Sequence, residues 1–162
     1  MALATSWSAN DLRVRECGCG RRHTYAGCVA RYAVDAQTLL HLVDEQLTVH
    51  PSHRLVAPNS IRSHALELLL RDVRNGARTR QEALERHERM TELKMRLLGD
   101  RVSRRTAWQM ALDHDWDTLR NAEYLAIARL QADALVTVDA DLAAKAGSVV
   151  RVASVQELLA PQ

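Results

Sequence analysis

The sequence predicts an α/β fold, a parallel sheet of about four to five strands wrapped by helices in three layers. Three observations carry this. Short apolar runs recur at Tyr32–Val34, Leu55–Ala57, Ala134–Val138 and Val149–Val152. Stretches with helical spacing of apolar residues separate them. The connections are too long for hairpins, so the strands must pair through helical crossovers.

Each element has a local reason. Tyr32–Val34 reads as a buried strand, followed by a helix to about Gln46. Leu55–Ala57 is the second strand, and Pro58 suits the first turn of the next helix, where a missing N–H costs nothing. Ile61, Ala65, Leu68 and Leu69 repeat at helical spacing up to Asn75-Gly76, a helix stop. Thr79 and Glu82 have the spacing of a capping box. They open a long helix to about Leu98, with Ala83, Leu84, His87, Met90, Leu93, Met95 and Leu97 along its face. Helices at about Arg104–Asp113 and Thr118–Gln131 follow, placing Trp108 and Tyr124 in the core. Ala134–Val138 is the third strand, Leu142–Ala146 a short helix, Val149–Val152 the fourth strand and Val155–Leu159 a closing helix.

The bulk composition narrows the function classes. The chain has 162 residues and a hydrophobic fraction of 47%, enough for one domain with a real core. A formal charge of +2 leaves no whole-molecule polyelectrolyte character. Lys94 and Lys145 are the only lysines, so the cationic groups are arginines, the better forks for phosphate. No apolar stretch approaches the roughly 20 residues of a membrane span, and residues 1–30 lack the apolar core of a secretory signal. The three cysteines all fall before residue 30, which argues against a disulfide scaffold and fits a reducing, cytoplasmic setting. Residues 1–30 read as a flexible leader outside a domain spanning 31–160, with the fold starting near Val29 in one form of that reading. Within the leader, Cys17, Cys19, His23 and Cys28 count as a zinc quartet, but their spacing is not that of the usual fingers.

The chemistry is concentrated in acidic residues at strand ends. Asp35 closes the first apolar run and Asp139 the third. In parallel sheets these positions lie at the carboxyl ends of strands, where ligand crevices form. Aspartate also caps helices, and Asp35, Asp117 and Asp139 each precede a helical pattern. Convergence of several carboxylates on one rim suits a divalent cation, which relieves their mutual repulsion.

The run Tyr32-Ala33-Val34-Asp35-Ala36-Gln37-Thr38-Leu39-Leu40 resembles the first motif of PIN domains. Leu55-Val56-Ala57-Pro58-Asn59-Ser60 resembles their second strand and following helix. Asn121-Ala122-Glu123-Tyr124 and the later Ala134-Leu135-Val136-Thr137-Val138-Asp139 resemble the third and fourth motifs. Leu97-Leu98-Gly99-Asp100-Arg101-Val102, with Thr106-Ala107-Trp108, looks like the actinobacterial VapC-type branch. The resemblance covers roughly 31–159 and rests on the order and spacing of its motifs. It implies a three-layer, Rossmann-like PIN fold and an endoribonuclease dependent on Mg²⁺ or Mn²⁺. It further implies the toxin of a type II toxin–antitoxin pair, held by a VapB-like antitoxin, with RNA as substrate.

By that resemblance Asp35 and Asp139 match the first and fourth acids of a four-acid ring. The second register falls on His64 and the third on Asn121, so this chain departs from the pattern at both. Neither replacement balances a hard cation's charge as a carboxylate does. Asp117, just ahead of the Asn121 helix, is the expected substitute and joins Asp35 and Asp139 as the catalytic, metal-binding set. Glu123, Glu67 and Asp141 are nearby secondary candidates beside Asn121 and His64. Arg62 and Arg71 are candidates for RNA phosphates. With no Phe in the chain and Trp108 and Tyr124 read as core, base stacking has little support.

Other readings are weaker. A degenerate PIN domain that binds antitoxin or RNA without cutting is the alternative that His64 and Asn121 motivate. A phosphorylatable receiver domain needs a lysine at a late strand end, and neither Lys94 nor Lys145 is so placed. No Gly-x-Gly-x-x-Gly follows the first strand, which excludes the common dinucleotide fingerprint. The apolar residues of the Thr79–Leu98 stretch make a homodimer plausible.

Overall fold

In a computed structural model that describes residues 29–161, the first strand is β1 (Ala30–Val34). It leads into α1 (Ala36–Asp44), β2 (His53–Pro58), α2 (Ile61–Arg74) and α3 (Arg80–Glu92). Then come β3 (Met95–Leu98), α4 (Arg101–Asp113), α5 (Leu119–Gln131), β4 (Ala134–Val136), α6 (Ala140–Ala146), β5 (Val152–Ala153) and α7 (Val155–Leu159). The zinc reading of Cys17, Cys19, His23 and Cys28 lies outside the described residues.

All five strands are parallel, in the order β3-β2-β1-β4-β5. The chain thus steps from β1 outward to β2 and β3, then returns to the other side of β1. Right-handed crossovers place the helices of the outward and return steps on opposite faces. Accordingly α1, α2 and α3 pack together, while α5 lies across β1, β2 and β4 with α4 against it. This is a three-layer α/β/α, Rossmann-like fold. The central strands read as continuous apolar runs because both their faces are covered; Val34, Ala57, Leu135 and Val136 are fully buried.

The expected long helix from Thr79 to Leu98 is two elements. The capping box forms as expected, with the Glu82 amide donating to Thr79 Oγ1 at 3.2 Å and the Thr79 amide to the Glu82 carboxylate at 2.7 Å. The helix stops at Glu92, however, where Leu93 turns extended. Met95–Leu98 then pairs with β2 in the register Leu55↔Met95 to Pro58↔Leu98. An unpaired sheet edge rewards strand over helix, and a helix whose face buries only Met90 resists little.

Three smaller expectations also change. Pro58 ends β2 instead of opening a helix; it lies past the register that β2 shares with β1, so its missing N–H leaves no gap there. Trp108, expected in the core, is 58% exposed on α4. The third and fourth predicted strands are shorter or shifted, ending at Val136 and covering Val152–Ala153. No helix among the described residues is long and apolar enough to cross a membrane.

One ion-pair network fastens α3 to α1. Asp44 accepts from Arg78 Nη2 at 2.9 Å and from Arg86 Nε, while Arg78 Nε reaches Asp72 at 3.0 Å. Asp44→Ala would leave two half-buried guanidiniums without their shared acceptor. The expected loss is about 1–3 kcal/mol. Urea unfolding checks it, and an unchanged midpoint would show the network to be idle.

Candidate functional site

The two strands that flank the reversal in strand order, β1 and β4, end side by side, with Val34 in register with Val136. The crevice outside such a switch point is where open α/β sheets bind ligands. Asp35 directly follows β1, Asp139 stands three residues beyond the end of β4, and each caps the next helix. Asp35 accepts from the amides of Gln37 and Thr38 at 3.2 and 3.3 Å and from the Thr38 hydroxyl. Asp139 accepts from the amides of Asp141 and Leu142 at 2.9 and 3.3 Å.

Side chains tie the two caps into one unit. Gln37 donates its backbone N–H to Asp35 and its side-chain amide to Asp139 Oδ2 at 2.6 Å. Thr38 Oγ1 donates to Asp35 and accepts the Val138 amide at 3.0 Å. Thr137 hydrogen-bonds Asp35 and accepts the Asp139 amide at 3.0 Å. Gln37, Thr38 and Thr137 escape the sequence reading as site residues. Their capping positions are legible, but a reach across about a hundred residues of chain is set by strand pairing.

Asp35 is 3% exposed, and no cationic side chain pairs with it among the described residues. Burial pushes its carboxyl above the usual range, against the opposing pull of its hydrogen bonds from Thr38, Thr137 and Gln37. Tyr124, buried on α5, lies close by: its hydroxyl accepts the Ala36 amide and meets His64 Nδ1 at 2.9 Å. Burial, and then the Asp35 charge, pushes the Tyr124 phenol upward, so it stays protonated. His64 is held below its ordinary value by burial and by the Arg120 charge. It is therefore neutral at neutral pH and bound to a tyrosine.

The remaining candidates divide. Asn121 donates to Asp141 Oδ2 at 2.9 Å, and Lys145 reaches the same oxygen at 2.6 Å. These contacts, Lys145 first, hold the Asp141 carboxyl below the usual range. Asp141, in the first turn of α6 beside its cap Asp139, thus ties Asn121 of α5 to that end of the crevice. Glu123 points elsewhere along α5 and accepts from Ser60 Oγ, ahead of α2. Glu67 pairs with Arg120 at 2.5 Å on the exposed side of α2. Arg62 and Arg71 are exposed on α2. Asp117 is exposed in the loop before α5 and lines a separate hollow with Trp108, Leu112 and Trp116. The structure therefore does not bring Asp117 together with Asp35 and Asp139.

Among the described residues, no three His, Cys, Asp or Glu side chains stand together as a ready ligand set for a metal ion. Mg²⁺, however, is commonly held by one or two carboxylates and completes its shell with water and phosphate oxygens. The Asp35–Asp139 pair fits that open mode and not a closed protein cage. A buried carboxylate with no cationic partner carries a desolvation cost that a bound cation relieves.

No protein-family model and no curated protein matches this chain. Among solved structures, the crystal structure of PAE2754 from Pyrobaculum aerophilum is similar to it. The similarity covers 83% of this chain and 96% of that one, with a TM-score of 0.60 and 26% sequence identity. The likeness supports the parallel α/β architecture.

Proposed function

We propose that this chain is a PIN-like endoribonuclease of the VapC type that hydrolyses RNA phosphodiesters with the help of Mg²⁺ or Mn²⁺. The observation that carries the reading is the buried Asp35, without a cationic partner and joined through Gln37 to Asp139 at the β1–β4 switch point. A divalent ion there supplies charge neutralisation at the phosphate and acidifies attacking water. Asp35 and Asp139 would hold it, and Asn121 offers a neutral oxygen. Gln37 and Thr137 fix the spacing of the two carboxylates. Tyr124 keeps a protonated hydroxyl beside Asp35, and the exposed Arg62 and Arg71 meet phosphates. A VapB-like antitoxin belongs to the same proposal and rests on the motif resemblance; a homodimer rests on the apolar residues of the Thr79–Leu98 stretch, and a cytoplasmic setting on the cysteine distribution.

One observation favours the non-cutting alternative. Asp141 is already satisfied by Asn121 and Lys145, so it is poorly placed to replace a missing acid. The test is cleavage of a mixed single-stranded RNA pool with Mg²⁺, with Mn²⁺ and with EDTA, beside an Asp35→Asn/Asp139→Asn control. Metal-dependent cutting that the control loses is the expected result. Folded, antitoxin-free protein that cuts with neither metal would overturn the nuclease reading in favour of binding alone.

A further inference from the structure

We propose that the hollow at the carboxyl ends of β2 and β3 is a subsite for a single ribonucleotide, with Asn59 bonding the base edge and Arg104 meeting the phosphate. This deepens the RNA reading above and rests on it. The hollow has a volume of about 100 Å³ and lies on the same rim as Asp35. Its apolar floor is Pro58, Leu98 and Ile127, and its polar groups come from the β2–α2 turn, α4 and α5. Glu123 and Ser60, bonded to each other, form one wall.

Two polar side chains of this hollow are left without partners. Among the described residues, neither the Asn59 amide nor the Arg104 guanidinium makes a hydrogen bond or ion pair. An amide offers a donor and an acceptor side by side, a pair that complements the donor–acceptor edge of an unpaired base. Single-stranded RNA exposes such edges, because its bases are splayed from any helix. A free guanidinium is a fork for phosphate. The Glu123 carboxylate, with lone pairs beyond the Ser60 bond, can accept from a ribose hydroxyl, which distinguishes RNA from DNA.

Gly99 explains how Asn59 comes to lie there. A Cβ at Gly99 would stand 2.5 Å from Asn59 Nδ2 and 3.0 Å from its Cγ. The glycine thus makes the space that the amide occupies. Because the clash falls on the end of a side chain, Gly99→Ala displaces the amide and leaves the backbone alone.

The test is titration of the full chain, in EDTA, with adenosine, guanosine, cytidine and uridine 5′-monophosphates and with deoxyadenosine monophosphate, followed by NMR. The ribonucleotides are expected to bind, and deoxyadenosine monophosphate more weakly than adenosine monophosphate. Asn59→Ala and Arg104→Gln should each weaken it by roughly tenfold. Gly99→Ala should weaken it too, with an unchanged unfolding temperature. Binding by none of the nucleotides, equal binding of the ribose and deoxyribose forms, or unchanged affinity in these variants would overturn the subsite. RNA cleavage separates the two readings. Cutting that depends on Asp35 but ignores Asn59 and Arg104 removes the subsite and keeps the nuclease. Selective nucleotide binding without cutting does the reverse.

Discussion

Asp35→Asn is expected to abolish RNA cleavage while raising the unfolding temperature of the metal-free protein. Loss of a group that stabilises charge at the reacting phosphate costs about a hundredfold or more in rate. The stability effect has the opposite sign because burial holds the Asp35 carboxyl above its ordinary value of 3.8. An acid raised in this way favours folding below pH 3.8, and that contribution is lost as pH rises through the folded value. Near pH 7 the wild type carries the full cost of a buried charge, which the amide does not. Asparagine is also a good N-cap, and the acceptor lost toward Gln37 served a long bond of 3.2 Å. The expected gain is about 1 kcal/mol, or about 2–4 °C in EDTA near pH 7, and it should fade below pH 4. Adding Mn²⁺ should raise the wild type and leave the variant unmoved. Thermal scans across pH, with and without the ion, measure all of this. A variant less stable than the wild type at pH 7 would show that Asp35 serves the fold chiefly as a cap.

Asn121→Asp is expected to tighten Mn²⁺ binding and raise cleavage. The substitution supplies an acid at the register where the PIN-like pattern places one. Asn121 now donates to Asp141 at 2.9 Å, so the new carboxylate would face another carboxylate at contact distance. Lys145 neutralises only one of the two. In EDTA the variant should therefore unfold at a lower temperature, and Mn²⁺ should restore it, because like charges in one crevice gain most from a cation. An affinity increase of about tenfold to a hundredfold is expected, read by Mn²⁺ titration. Unchanged affinity would place the ion away from Asn121 and favour a pocket that has stopped cutting.

The residue pattern by itself determined the fold class, most element positions and the two central carboxylates. That legibility has a local cause. Strand burial writes continuous apolar runs into the sequence, and helix caps write Asp35, Thr79 and Asp139 next to the segments they start. Family likeness added the functional expectation and flagged His64 and Asn121 as departures. Tertiary structure alone decided the rest, because pairing partners lie far apart in sequence. It made Met95–Leu98 a strand, since the edge of β2 outweighs a weak helical tail. It left Asp117 outside the crevice and exposed Trp108, since the packing of α4 on α5 sets which faces are covered. It gave His64 to Tyr124 and Asn121 to Asp141, contacts between separate elements that no spacing in the chain encodes. And it joined Asp35 to Asp139 through Gln37, because β1 and β4 become neighbours only when the chain doubles back across the sheet.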